Sequence, residues 1–174
     1  MTEDSIVVSV CDLGLGIFAR RPFKAAEYLL RFAGPIIDLE TALAKGDKKG
    51  NPLQIGDNHY LDLLPPGVYV NHSCDPNAGM RNSVELHALR NIEVGEEIRM
   101  DYSTTMLEGG CWTMDCRCGS KKCRHVIRDF DQLPSSLRET YLAQGIVQPF
   151  IAAQYQKEPN HTSEFTSLTR RNSR

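Results

Sequence analysis

The strongest constraint on the fold of this chain is a cluster of three closely spaced cysteines. Cys116, Cys118 and Cys123 follow one another in CxCx4C spacing. Three such thiols can surround one face of a zinc ion, but a closed structural zinc site is nearly always tetrahedral and takes four ligands. A fourth sulfur or imidazole from elsewhere in the chain would tie two segments together and couple their folding to metal binding.

Three residues compete to be that fourth ligand. Cys74 lies in the distant Asn71–Asn77 block, which reads NHSCDPN, whereas Cys111 precedes the cluster and His125 follows it. Cys111 is otherwise a free thiol in a loop, and His125 otherwise caps or packs the turn behind the cluster. We favour Cys74, because it would close a site between two remote parts of the chain.

Composition and charge indicate an ordinary globular protein. The chain has 174 residues, of which 41% are hydrophobic, and its net charge is −2. We therefore expect no direct nucleic-acid binding. The acidic residues 1–4 and the short apolar run Ile6–Val10 predict neither a secretory signal nor a membrane span, so we expect a soluble intracellular protein, cytoplasmic or, in a eukaryote, nuclear. In that setting six cysteines favour metal binding over disulfides.

Alternating apolar residues predict a core built mainly from short strands. Residues 5–20 read as two strands around a glycine-containing turn, and residues 27–37 continue with strands interrupted by Gly34-Pro35. Residues 39–45 are predicted to form one or two helical turns. Residues 84–89 and 97–102 are predicted to pair as a hairpin.

The segment after the cysteines predicts a helix and then a tail. Residues 134–139 suggest a helix start with a serine N-cap and an acidic residue in the first turn, and Gly145 predicts its end. This helix should end the folded region or nearly so. Residues 157–174 are polar without apolar periodicity, which predicts a disordered tail.

Four short motifs follow one another along the chain in an order that points to a family. They are Gly14–Gly16 (GLG), the Asn71–Asn77 block, Gly95–Tyr102 (GEEIRMDY) and the cysteine cluster. Together they resemble the SET-domain protein lysine methyltransferases with a post-SET zinc segment, in a compact form without a pre-SET segment. The resemblance covers about residues 5–127.

This resemblance implies a mainly β fold with short helices, of the α+β class. We expect small curved sheets with a knot-like crossing that threads the Asn71 segment beside the Tyr102 segment. The expected divisions are a SET domain at 1–106, a post-SET zinc segment at 107–128, a C-terminal helical extension at 129–156 and the tail at 157–174.

The resemblance also implies S-adenosylmethionine as cofactor, one structural zinc ion, and a protein substrate that presents a lysine. Tyr102 matches the catalytic tyrosine of the family, although an isolated tyrosine here would simply end a strand. The implied cofactor-binding residues are Leu15, Gly16, Ile17, Asn71 and His72. The implied zinc ligands are Cys74, Cys116, Cys118 and Cys123.

Several positions depart from the family pattern around the substrate lysine. Phe32 stands where a channel tyrosine is usual, so Tyr60 and Tyr69 become candidates for the missing hydroxyl. Met100 stands where Phe or Tyr often limits the number of methyl groups, and a flexible methionine favours higher methylation states. Trp112 either covers the cofactor adenine or, as we favour, packs over the metal loop.

These departures leave two alternatives to an enzyme. One is a catalytically silent SET-like, zinc-containing module that binds a protein partner. The other is a small zinc protein without cofactor, against which the joint presence of Gly14–Gly16, Asn71, His72 and Tyr102 argues. The sequence sets neither the substrate protein, nor the number of methyl groups, nor the oligomeric state.

Overall fold

The structure of the protein, a computed structural model, describes residues 4–46, 50–107, 109–110 and 112–156. Short strands dominate this part of the chain, as the alternating pattern predicted. The strands are β1 (Ile6–Cys11), β2 (Gly14–Ala19), β3 (Tyr28–Arg31), β4 (Ile36–Ile37), β5 (Leu53–Gly56), β6 (His59–Leu61), β7 (Asn71–His72), β8 (Ala78–Arg81), β9 (Glu85–Ala88), β10 (Glu97–Met100), β11 (Met114–Asp115) and β12 (Val126–Ile127). The helices are α1 (Leu39–Leu43), α2 (Ser135–Gln144) and α3 (Pro149–Gln156), with 3-10 turns at Gly67–Tyr69, Tyr102–Thr105 and Phe130–Gln132.

One sheet carries most of the segments that the sequence singled out. Its order is β1-β2-β10-β7, and β1 and β2 form the predicted N-terminal hairpin. β10 runs antiparallel to β2, with Ile98 opposite Ile17, and both side chains are fully buried. β7 runs parallel to β10, with Asn71 opposite Arg99. The Asn71 segment therefore lies beside the Tyr102 segment, as expected.

The predicted hairpin between β9 and β10 is wrong. β9 pairs with β3 and β8 in a second sheet, whereas β10 pairs with β2 and β7. The residues between β9 and β10 do not form a hairpin turn, because Ile92 is buried and forms an isolated bridge with Phe23. Gly95, at φ 81°, then donates its backbone N–H to Ala19 and directs the chain into the first sheet. Alternating polarity indicates which face of a strand is buried but not which neighbour it pairs with.

The C-terminal helices pack on the second sheet. Their own apolar cluster includes Phe130, Tyr141 and Ile151, and Ile146 lies against Gly79 of β8, where a Cβ would approach within 2.7 Å of it. Arg81 of β8 donates hydrogen bonds to the last carbonyls of α2. The helical extension is therefore part of the folded body.

Two details of α2 differ from the prediction. Pro134 occupies the N-cap position without a side-chain hydrogen bond, and Glu139 lies beyond the first turn. The predicted serine cap is therefore wrong, because the helix begins one residue earlier than a cap at Ser135 requires. Gly145 ends α2 in the left-handed conformation at φ 64°, which confirms its predicted role. α3 (Pro149–Gln156) follows α2, so a second helix lies beyond Gly145.

Other expectations stay predictions. The tail at 157–174 lies outside the described residues, and the divisions at 106, 128 and 156 are not tested by the element bounds. Among the described residues, every helix is too short or too polar to cross a bilayer.

We expect Gly34→Ala to destabilise the fold strongly. A Cβ at this position would overlap the backbone carbonyl oxygen of Asp62, in the segment that follows β6. Backbone cannot yield as a flexible side chain does, so the free energy of unfolding should fall by about 3 kcal/mol or more. The midpoint of urea denaturation measures this change.

Gly56→Ala is the matched control, because a Cβ there would lie at ordinary contact distance, 3.6 Å, from His59 in the same small sheet. The control should change the free energy of unfolding by less than about 0.5 kcal/mol. Equal effects of the two substitutions would contradict the packing described for Gly34.

Candidate functional site

Three of the four predicted metal ligands, Cys74, Cys116 and Cys118, converge in space together with His72. The ligand atoms of His72, Cys74, Cys116 and Cys118 all lie within 4.8 Å of one another, and all four residues are buried. Sγ of Cys74 is 3.7 Å from Sγ of Cys116. A tetrahedral zinc ion with Zn–S bonds of about 2.3 Å would separate its sulfurs by about 3.8 Å, whereas a disulfide needs about 2.05 Å. The cluster therefore fits zinc, and it includes the favoured distant ligand Cys74.

Cys123 and His72 compete for the fourth position. The Cys123 thiol is half-buried beside the cluster, 3.7 Å from the carbonyl oxygen of Cys116. The backbone N–H of Tyr102 donates to Nδ1 of His72 at 3.2 Å, so a neutral imidazole carries its proton on Nε2. That Nε2 is 3.2 Å from Sγ of Cys74 and is set to donate to the sulfur. This arrangement favours His72 as a hydrogen-bond donor to a ligand and Cys123 as the ligand itself.

Of the two other candidate ligands that the sequence offered, the structure describes His125 but not Cys111. His125 is exposed at φ 65° and contributes its backbone: its N–H donates to Sγ of Cys123 and its carbonyl accepts from Cys116. These contacts agree with its predicted capping role. Cys111 lies outside the described residues.

Burial sets the charge states within the cluster. It raises the pKa of the Cys74 and Cys116 thiols, because a thiolate loses its hydration there. Burial also opposes ionisation of Cys118, but backbone N–H donors of Cys74 and Ser120 bring its pKa down to about 7. Most of these thiols would stay protonated without a nearby cation, so a dication would compensate their ionisation and release protons on binding.

His72 is neutral at physiological pH. Burial lowers its pKa to about 4; Asp101 opposes this shift and the nearby Arg124 and Arg99 reinforce it. The ring is only 3% exposed and its edge faces Tyr102, with ring centroids 5.3 Å apart. The ring is therefore committed to contacts within the protein, so a contact of His72 with a cofactor would come from its backbone.

The predicted cofactor-binding residues form a polar cradle at the edge of β2 and β7. The side-chain amide of Asn71 donates to the carbonyl of Leu15 at 2.9 Å and to the carboxylate of Glu97 at 2.8 Å. A Cβ on Gly16 would overlap the Glu97 carboxylate and lie 3.1 Å from the Asn71 amide, so a side chain here would displace the Glu97 carboxylate from its present position. Ile17 turns its side chain into the core and offers only backbone.

A charged pair closes one side of this cradle. Glu97 forms an ion pair with Arg99, and Arg99 also donates to the carbonyl oxygen of Cys118 at 3.0 Å. The cradle is thereby joined to the segment that carries Cys116, Cys118 and Cys123, which we call the metal segment. Both charged residues belong to the GEEIRMDY motif, but the sequence alone indicated no role for either.

Tyr102 occupies the junction between cradle, metal cluster and cavity. Its hydroxyl donates to the carbonyl of Val70, the residue before Asn71, at 2.7 Å. Burial, and secondarily the charge of Glu97, raises the pKa of this phenol, so it remains a neutral donor. Its ring also packs against the cysteine cluster.

A narrow cavity of about 90 Å³ lies beside Tyr102. Sites for drug-sized ligands are typically about 300–1,000 Å³, so this one suits a slender chain rather than a ring system. Its lining includes Phe32, Tyr60, Met100 and Tyr102, three of the four predicted channel residues together with the predicted catalytic tyrosine. The fourth channel candidate, Tyr69, packs against the main core and is not among the described residues that line the cavity.

Gln54 and Trp112 also shape this cavity. Gln54 is buried and accepts a hydrogen bond from the backbone of Leu107 at 2.8 Å, which ties β5 to the segment after Tyr102. Trp112 packs against the cysteine cluster, which confirms the favoured expectation, and it also lines the cavity. Gln54 carries no local sequence signal, because its role depends on a partner 53 positions away.

An open groove continues from Tyr102 along the metal segment. It shares Tyr102 and Trp112 with the narrow cavity and extends to Thr113 and Met114. Tyr102 therefore contributes to both depressions.

Comparison with protein families gives one extended match. The sequence model described as the SET domain matches residues 14–103. Histone-lysine N-methyltransferase mes-4 of Caenorhabditis elegans is 28% identical over 146 residues, which are 68% of this chain and 16% of that protein. Histone-lysine N-methyltransferase ASHH3 of Arabidopsis thaliana is 29% identical over 131 residues, 66% of this chain and 35% of that protein. The chain thus spans well under half the length of these two relatives.

Solved structures support the same fold. An autoinhibited Polycomb Repressive Complex 2 of Chaetomium thermophilum bound to S-adenosylmethionine superposes with a TM-score of 0.52 at 18% identity, covering 60% of this chain and 16% of that one. A humanized mutant of the same complex bound to an inhibitor also gives 0.52, at 19% identity, with the same coverage. At such identities the likeness shows the fold alone.

We expect Cys74→Ser and Cys123→Ser each to lower the zinc content of the purified protein well below one ion per chain. Both substitutions remove a ligand from a tetrahedral site. His72→Gln should keep the ion, because the ring donates to Cys74 rather than ligating. Zinc is measured by atomic emission against protein concentration.

Cys11→Ser is the control, since Cys11 belongs to β1 and lies beside Asn71 rather than in the cluster. It should retain the full ion. Loss of zinc in His72→Gln together with retention in Cys123→Ser would identify His72, and not Cys123, as a zinc ligand. Loss of zinc in Cys111→Ser together with retention in Cys74→Ser would identify Cys111, and not Cys74, as a zinc ligand.

Proposed function

The chain belongs to the SET-domain family, and on that basis we propose that it is an S-adenosylmethionine-dependent protein-lysine N-methyltransferase. The observation that carries the proposal is the position of Tyr102. Its hydroxyl is anchored on Val70, directly before the Asn71 cradle, while Tyr102 also lines the narrow cavity. A donor group in the cradle and a lysine in the cavity would meet at this tyrosine.

The cradle has the chemistry to hold the polar end of the cofactor. Because Gly16 has no side chain, the β2 backbone lies close to the Glu97 carboxylate and the Asn71 amide, and Asn71 together with the backbone of Leu15 provides hydrogen-bonding groups there. Bound S-adenosylmethionine supplies a methyl group made electrophilic by its sulfonium. The residues that would bind it are Leu15, Gly16, Ile17, Asn71 and His72, the last through its backbone.

The cavity favours the reactive form of the substrate. A lysine has a pKa of about 10.4 in water, and an apolar lining such as Phe32, Met100 and Val70 stabilises its neutral amine. With S-adenosylmethionine bound, this neutral amine would accept the methyl group, S-adenosylhomocysteine would be the leaving product, and the resulting ammonium would release its proton to solvent. The walls keep the amine in line and exclude water, at an approach of about 3–3.5 Å. Tyr102 orients the reacting groups as a neutral hydroxyl.

The metal site supports the cradle and has no chemical role in the proposal. The residues that would hold zinc are Cys74, Cys116, Cys118 and Cys123. Arg99 contacts both the metal segment and Glu97 in the cradle. Folding of the metal segment should therefore assist cofactor binding.

The proposed substrate is a lysine on a protein, and histones are the first class to test. That choice rests on the names of the relatives, histone-lysine N-methyltransferases. Residues of α1 and residues 50–54 line one part of the cavity. We propose that this short segment faces the substrate.

We expect Asn71→Ala to weaken binding of S-adenosylmethionine and Tyr102→Phe to slow methyl transfer. Loss of the amide contacts should raise the Kd by about 10- to 100-fold, as measured by calorimetric titration. Loss of the hydroxyl should lower the transfer rate by about 100-fold, as measured with labelled cofactor and a histone or protein-extract pool, while the Kd changes by less than about threefold.

Tyr28→Phe is a suitable control, because Tyr28 lies in the second sheet and contacts His87. It should preserve both binding and transfer. Saturable binding without transfer to any pool by the wild-type protein would instead identify a catalytically silent module, and absence of binding would favour a zinc protein without cofactor.

We expect the wild-type protein to add more than one methyl group and Met100→Phe to add fewer. Met100 is buried at the cavity wall, and a rigid ring there would leave less room for a methylated amine. Mass spectrometry of the product counts the methyl groups. Met106→Leu, a change of similar volume in the same cavity, should leave the count unchanged; monomethylation only by the wild-type protein would contradict the prediction.

A further inference from the structure

A fully buried carboxylate lies directly before Tyr102. The Asp101 side chain has 0% exposure and accepts two hydrogen bonds from Arg124, at 2.6 and 2.7 Å. It also accepts from the hydroxyl of Tyr141 at 2.9 Å. These donors come from the loop after Cys123 and from α2, so two separate parts of the chain meet at one carboxylate.

Asp101 sets the geometry of the turn that bears Tyr102. Its carboxylate accepts from the N–H of Ser103 at 3.1 Å and caps the 3-10 turn Tyr102–Thr105. Its carbonyl accepts from the hydroxyl of Thr104 at 2.7 Å. A shift of this carboxylate would therefore move the backbone of Tyr102, whose N–H and hydroxyl are both committed to β7 and the residue before it.

Arg124 joins this carboxylate to the metal cluster. It follows Cys123 directly, and its backbone N–H donates to Sγ of Cys74 at 3.3 Å. Its guanidinium binds Asp101 in bidentate fashion and also reaches the hydroxyl of Ser103 at 3.2 Å. One residue thus contacts a metal ligand with its backbone and the Tyr102 turn with its side chain.

Tyr141 joins the same carboxylate to the helical extension. It is buried in the apolar cluster of the C-terminal helices, and burial with the charge of Asp101 raises its phenol pKa so that it remains a donor. α2 is itself held to β8, where Ile146 packs on Gly79. The position of the Tyr141 hydroxyl therefore depends on the docking of the extension.

We propose that Arg124 and Tyr141 are positioning residues of the active site, which hold Asp101 so that the turn bearing Tyr102 is ordered only when the metal segment and the C-terminal extension are both folded. The structural coupling stands independently of the chemistry. Its consequence for the transfer rate rests on the proposed function.

Tyr141→Phe tests the coupling with the smallest change. It removes one hydroxyl and keeps the ring, and Arg124 still neutralises Asp101, so the protein should fold and retain one zinc ion per chain. Hydrogen exchange followed by mass spectrometry of the zinc-loaded full chain should show about tenfold faster exchange in residues 100–106. Residues 28–31 and 85–88 of the second sheet should exchange at the wild-type rate.

Kinetics separate positioning from general damage. For Tyr141→Phe, kcat should fall by about tenfold while KM for the cofactor changes by less than about threefold, because the cradle at Asn71 and Gly16 is untouched. Arg124→Lys keeps the charge but loses the bidentate fork, and it should produce a larger loss in the same two measurements. Tyr28→Phe is the matched control: it removes a hydroxyl from the second sheet, where the ring packs on His87, and it should leave both kcat and exchange in residues 100–106 unchanged.

The outcomes are distinct. Wild-type exchange rates in residues 100–106 for both Tyr141→Phe and Arg124→Lys would overturn the coupling. Faster exchange spread evenly over all segments would also overturn it, because that pattern indicates global destabilisation. If the wild-type protein transfers no methyl group, the proposed function fails alone, and the exchange measurement still decides whether the two residues order the Tyr102 turn.

Discussion

The parallel pairing of β7 with β10 is the interaction on which the rest of the site depends. It sets Asn71 opposite Arg99 and His72 opposite Met100. A parallel pair cannot be closed by a tight turn, so the chain must make a long excursion between the two strands. That excursion contains β8 and β9, and the pairing brings both functional motifs back to one edge of the sheet.

Polar groups concentrate where this pairing ends. Asp101 and His72 are buried there, and each is engaged by neighbours from several segments. Buried polar groups are costly unless they are satisfied, so such a network requires each contributing segment to be in place. The metal segment and α2 both supply donors to Asp101, which makes the site sensitive to parts of the fold that do not line the cavity.

Strands β1 to β4, β9 and β10, together with α1 and the end of α2 at Gly145, were predictable, because periodicity and glycine geometry are local properties. The partner of β10 was not: Val84–Leu89 and Glu97–Met100 each have an apolar face, and the burial of Ile92 against Phe23 decided between partners. At the site, the motif residues Asn71, Tyr102 and Cys74 were found from their spacing and order. Gln54 and Tyr141 were missed, since their roles depend on partners 53 and 40 positions away.

The sequence by itself predicted that three cysteines need a fourth ligand, for which Cys74 was favoured, and showed that the GLG, NHSC and GEEIRMDY segments together resemble a SET domain. These conclusions depend on residue type and order, which a single chain displays directly. Only the tertiary structure decided that the His72 ring faces Cys74 rather than the cofactor cradle, that Tyr69 packs against the core, and that Arg124 and Tyr141 share one carboxylate. Side-chain direction and contacts between remote segments follow from strand pairing and packing, which local pattern leaves open.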